Sequence, residues 1–117
     1  MKKSKFKYLL YYLLLGDIMP VRSVKITADT VISTAGGTFH GIIWYAATGA
    51  TANAVISVFD DDTTSTPSNQ IAKFHTAGSF PAGDDFRGFE IVCKTGITVK
   101  ASSFTNLEVY VLYNWGG

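Results

Sequence analysis

Three adjacent carboxylates, Asp60-Asp61-Asp62, form the densest group of chemistry-bearing side chains in the sequence. A hard cation such as calcium takes about six to eight oxygen ligands, and such a run could supply a few of them. The spacing is not that of a helix–loop–helix calcium loop, and no further carboxylate is fixed beside the run. A solvated loop that ends a strand and discourages edge pairing is the simpler expectation. Asp84-Asp85 and Glu90 have the composition of an acid–base set without a spacing that brings them together. His40 lies inside an apolar run and His75 just beyond Phe74, positions that suit hydrogen-bonded structural imidazoles. Ser33, Ser57, Ser79, Ser102 and Ser103 all lie outside a Gly-x-Ser-x-Gly elbow. Cys93 falls mid-strand, where a buried and inert thiol is expected. Neither a phosphate loop nor a dinucleotide fingerprint is present. The expectation is a protein without catalytic residues, metal ligands or cofactor.

Aromatic side chains are the stronger candidates, because they stack on sugars and hold protein interfaces together. Trp44 and Tyr45 are neighbours in an extended run and so point to opposite faces. One of them should enter the core and the other face a partner. Tyr110 and Leu112 lie on the face opposite Val109 and Val111, leaving apolar surface that a monomer keeps partly wet. Trp115, within three residues of the C-terminus, would add an anchor. Tyr110, Leu112, Trp115, Trp44 and Tyr45 are therefore the candidate interface residues.

These residues are held by a period of two that runs from Val21 onward. Val24, Ile26 and Ala28 alternate with Lys25, Thr27 and Asp29. After the Ala35-Gly36-Gly37 turn, Thr38–Ala47 is apolar on both faces and reads as a central strand. Ala54–Phe59 is a strand that stops at the acidic run, and Thr63–Asn69 is turn chemistry. Ile71, Ala72 and Phe74 mark a short strand, followed by a Gly/Pro-punctuated loop through Gly83. Phe89–Cys93 and Ile97–Ala101, joined by Thr95-Gly96, read as a hairpin. Leu107–Trp115 is the last strand, with Val109, Val111 and Ile91 assigned to the core, and Glu108 and Lys100 to water. About seven short strands and no helical stretch after residue 20 predict an all-β fold, a single small β-sandwich. Jelly-roll and immunoglobulin-like arrangements fit equally, because periodicity does not reveal strand order.

Composition agrees. The chain has 117 residues, 47% of them hydrophobic and 16% charged, which suits one domain with a real core and excludes disorder. A single cysteine excludes an intramolecular disulfide framework. A net charge of +1 gives no electrostatic case for nucleic acid. Four lysines (Lys2, Lys3, Lys5, Lys7) crowd the first few residues, so the remainder is faintly acidic.

Residues 1–20 read as a non-β N-terminal extension and residues 21–117 as the sandwich. The uncharged run Tyr8–Gly16 is far shorter than the roughly 20 residues a membrane-spanning helix needs. No small-x-small cleavage pattern follows it. A docking arm is one expectation. Export or membrane contact is another, and the one we favour is that Met19 is the translation start, since MPVRSVKIT opens like a β domain and the Gly16-Asp17 codons can spell a ribosome-binding site.

From Val24 to Asn114 the sequence resembles small virion proteins of tailed phages, of the head-decoration or accessory structural kind. The resemblance rests on an opening Val-x-Ile-Thr strand and on a Gly-Gly turn before Gly-Ile-Ile-Trp-Tyr. A strand closing in Phe-Asp-Asp, a Gly-Phe-x-Ile-x-x-x-Thr-Gly-Ile segment and a Val-x-Val-Leu-Tyr end strand complete it. It implies a non-enzymatic sandwich that attaches to a phage capsid or another part of the particle, assembled in the host cytoplasm. It also implies a homo-oligomer, with a trimer as the first expectation and a pentamer or hexamer next. Neither nucleic acid nor membrane is an expected partner. A carbohydrate- or receptor-binding module is the alternative, since small sandwiches commonly host such sites.

Overall fold

A computed structural model describes residues 20–115. Eight strands follow one another: β1 (Arg22–Ile26), β2 (Thr30–Ser33), β3 (Gly37–Ala46), β4 (Val55–Phe59), β5 (Gln70–His75), β6 (Ala82–Cys93), β7 (Ile97–Ala101) and β8 (Leu107–Trp115). They form two four-stranded sheets, β1-β8-β3-β6 and β2-β7-β4-β5, with antiparallel pairing throughout. The described chain is an all-β sandwich. β1 pairs with β8, β2 with β7, β3 with β6 and β4 with β5, so the second half runs back along the first as one long ribbon. Consecutive strands lie in opposite sheets, except β4 and β5 at the fold of the ribbon, and this is jelly-roll connectivity. That order decides between the two architectures that the alternation left open. The readings made for residues 1–19 lie outside the described residues.

Apolar residues at every second position of β8 (Leu107, Val109, Val111, Tyr113) face Ile56, Val58, Ile97 and Val99 of the other sheet, all buried. Burying such a side chain contributes about 1.5–3 kcal/mol. β3 is central, as its two apolar faces predict, but its alternation breaks. Phe39 is buried, and so are Ile42, Trp44 and Ala46, a change from odd to even positions. The cause is a bulge. His40 is an extra residue between Phe39 and Gly41 in the pairing with β8. On the other side, Gly88, at φ +93°, falls in the matching irregularity of β6, and the inward positions there change from Phe86 to Phe89 and Ile91. Gly41 (φ +141°) permits the close approach, since a Cβ there would come within 2.0 Å of the Phe86 carbonyl oxygen.

Several expectations are corrected. β1 ends at Ile26, and Ala28 is exposed. β2 gave no signal because all four of its residues are half-buried, without alternation. β6 begins at Ala82, so the segment read as loop through Gly83 and as acidic loop at Asp84-Asp85 is already strand. β6 and β7 are not a hairpin: β6 pairs with β3, whereas β7 pairs with β2 and β4 in the other sheet. Thr95-Gly96 carries the chain across the end of the sandwich. Ile91 is half-buried against the core rather than inside it, because β6 is an edge strand.

Candidate functional site

The acidic run is occupied with structural work. Asp60 ends β4, and its carboxylate accepts hydrogen bonds from the backbone N–H groups of Lys94 (3.0 Å), Thr95 (2.8 Å) and Gly96 (3.3 Å). It clamps the crossing from β6 to β7. Partial burial works against its charge, yet these three donors outweigh that cost and hold its pKa below the ordinary carboxylate value. Asp61 accepts from Ser68 N–H and Asp62 N–H, both at 2.8 Å, which likewise holds its pKa low. The Asp61 carbonyl takes the Thr98 hydroxyl at 2.7 Å, which satisfies that fully buried side chain. Among the described residues no group of three His, Cys, Asp or Glu side chains is placed to hold a metal ion.

The remaining polar candidates are dispersed. Asp84 accepts from Asp85 N–H, and Asp85 pairs with Arg87 at 2.8 Å. His40 sits in the β3 bulge with Nε2 buried and unpartnered, and Trp44 Nε1 is in the same state. His75 is exposed at the end of β5. Cys93 is buried, and that burial, with Asp60 nearby, pushes its thiol up to about 11, so it is not a nucleophile at neutral pH. A groove of about 410 Å³ on the β4–β7 side has polar groups already engaged: Asp29 accepts from Ala101 N–H, and the Ser102 hydroxyl from Val55 N–H.

The aromatic candidates divide three ways. Trp44 is 4% exposed and belongs to the core, so it offers nothing to a partner. Trp115 is 59% exposed but shares the parity of Tyr113, so it sits beyond the end of the core with the Arg22 guanidinium 5.5 Å from its ring centroid. Tyr45 is 49% exposed on the outer face of the β1-β8-β3-β6 sheet, where Tyr110 and Leu112 are half-buried. Those three do form one surface.

Register builds that surface row by row. Across the sheet, Lys25 lies opposite Tyr110, Tyr110 opposite Ile43, and Ile43 opposite Asp85. The next row reads Ser23, Leu112, Gly41, Arg87, and the row on the other side Glu108, Tyr45, Gly83. Charge is confined to the strands flanking this apolar centre and to its ends. Glu108 accepts from Lys25 Nζ at 3.1 Å and from the Tyr110 hydroxyl at 3.2 Å. The hydrogen bond and charge of Lys25 hold the Glu108 pKa below its ordinary value, and those of Glu108 raise that of Lys25. Sequence reasoning missed Ile43, Lys25 and Asp85 as members of this face, because only strand order makes them neighbours. Exposed Val92 extends the surface along β6, opposite Thr38. Among the described residues, no helix is long and apolar enough to cross a membrane. Comparison of the chain with protein-family models, with curated proteins and with solved structures finds no match.

Proposed function

We propose that this protein is a non-enzymatic structural component of a tailed-phage particle, a decorating or cementing protein of the capsid or an accessory head, neck or tail protein. The observation that carries the reading is the outer face of the β1-β8-β3-β6 sheet, where Tyr45, Ile43, Tyr110 and Leu112 form an aromatic and aliphatic centre with ion pairs at its margins. A contiguous apolar patch rimmed by charge is the usual form of a protein interface. Its mechanism is burial of that face against neighbouring subunits, with binding energy contributed across their junctions. The strand-and-turn resemblance from Val24 to Asn114 supports the phage assignment. Jelly-roll connectivity is compatible with it, being common in capsid domains, though lectin domains share it and a fold alone does not choose a function.

Mass spectrometry of gradient-purified particles from the cells that express the gene tests the assignment. The chain is expected in the particle at a fixed copy number relative to the major shell protein. Its absence from particles while abundant in the lysate would overturn the assignment.

A further inference from the structure

We propose that the groove on the outer face of the β2-β7-β4-β5 sheet binds a neutral saccharide. It lies on the sheet opposite the proposed interface, so the two surfaces can be occupied together. Ile56 and Val58 of β4 point inward and are fully buried, so Ser57 and Phe59 point outward into the groove. Lys100 of β7 stands directly opposite Ser57 in the strand pairing, and Ser102 lies just beyond the end of β7. Asp29, from the connection between β1 and β2, completes the lining with Pro67, from the loop between β4 and β5. The volume of about 410 Å³ falls in the roughly 300–1,000 Å³ range of small-molecule sites.

The lining selects the ligand by its chemistry. Asp29 brings a negatively charged acceptor and Lys100 a positively charged donor, and the hydroxyls of Ser57 and Ser102 can do either. An anion in the groove meets Asp29, and a cation meets Lys100. A neutral molecule with many hydroxyls satisfies both, because its O–H groups donate to the carboxylate while its oxygens accept from the ammonium. The half-buried Phe59 ring, with Pro67, supplies apolar surface on which the C–H face of a sugar ring packs. A purely apolar ligand would strip water from these polar groups and leave them unpaired.

Several of these groups are fixed before any ligand arrives. Asp29 Oδ1 accepts from Ala101 N–H at 3.1 Å, which leaves the carboxylate further acceptor capacity. The Ser102 hydroxyl oxygen accepts from Val55 N–H at 2.9 Å and keeps its O–H to donate. Pro67 is held through its neighbour, since Asp61 accepts from both the N–H (2.8 Å) and the hydroxyl (3.2 Å) of Ser68. Lys100 is half-buried and, among the described residues, forms no ion pair, so its ammonium can serve a ligand. A site ordered in advance loses less entropy on binding.

The test is a glycan array probed with the full chain, followed by NMR titration of the isotope-labelled chain with each neutral glycan that binds. An open groove that leaves much of the ligand in water is expected to hold it at about 0.1–1 mM. The amides of Ser57, Lys100 and Ser102 should shift most, and those around Tyr45 should not move. Lys100→Met and Phe59→Leu are each expected to weaken binding about fivefold or more, whereas Tyr45→Ala, on the other sheet, leaves it unchanged. Melting curves confirm that the variants fold, and the shift map of the wild type locates the site without them. An array on which no neutral glycan binds would overturn the proposal, and so would shifts on the other sheet or wild-type affinity in both groove variants. Binding confined to sulfated or carboxylated glycans would overturn it too, by making Lys100 and Lys73, which flank Ser57 from either side, an anion site. Particle incorporation is measured separately, so failure here leaves the structural assignment standing.

Discussion

Asp60 shows how a conspicuous acidic side chain is used for architecture. Its carboxylate takes three backbone donors at the crossing between sheets, and those donors need it ionised. Its folded pKa is depressed, so the stabilisation is present above the unfolded carboxylate value and is lost as pH falls through the folded one. Asp60→Asn is expected to cost about 1.5–3 kcal/mol at neutral pH, the range for hydrogen bonds to a charged group. The gap between wild type and variant should narrow in acid, which urea titrations at about pH 7 and pH 3 would read. A gap that is constant between the two would mean the charge is not what holds the crossing. Asp60 was legible as a strand terminator. Its partners were not, because Lys94, Thr95 and Gly96 are more than thirty positions away and only the wrap of β4 against the β6–β7 crossing brings them near.

At the scale of elements, alternation was enough to place β4 and β8, whose inward residues are buried in the order expected, and an apolar run on both faces was enough to place β3. It failed where alternation does not exist or is interrupted. β2 is half-buried on both sides, and the start of β6 carries two aspartates and two glycines that look like loop chemistry. The supposed hairpin failed for a different reason. A tight Thr-Gly connection says that the chain turns, not whether it returns to the same sheet. The matched irregularities in β3 and β6 were equally hidden, although Gly41 and Gly88 were their trace. Gly41→Ala is expected to force β3 from β6 and to destabilise by about 2–3 kcal/mol, the cost of backbone strain plus a displaced neighbour. Val111→Asp, placing a charge at a fully buried position of β8, should cost several kcal/mol and unfold a marginal domain. Thermal melts of both variants check the register: a wild-type melt for Val111→Asp would mean that the inward face of β8 is misassigned.

At the scale of the molecule, the two sheets cover each other's inner faces and leave one outer face with an aromatic centre. The sequence pointed to Tyr45, Tyr110 and Leu112 as surface, and strand order gathered them with Ile43 between flanking ion pairs. Trp44 was lost to the core and Trp115 to the far end of β8, so the outer face proposed as an interface gathers fewer aromatic side chains than the five candidates implied. The claim that this face is covered in the working assembly is tested most directly by hydroxyl-radical footprinting of assembled particles against the dilute isolated chain. Tyr45 is expected to lose most of its reactivity in the particle, with Tyr110 and Leu112 falling alongside it. Equal labelling of Tyr45 in both states would contradict the account.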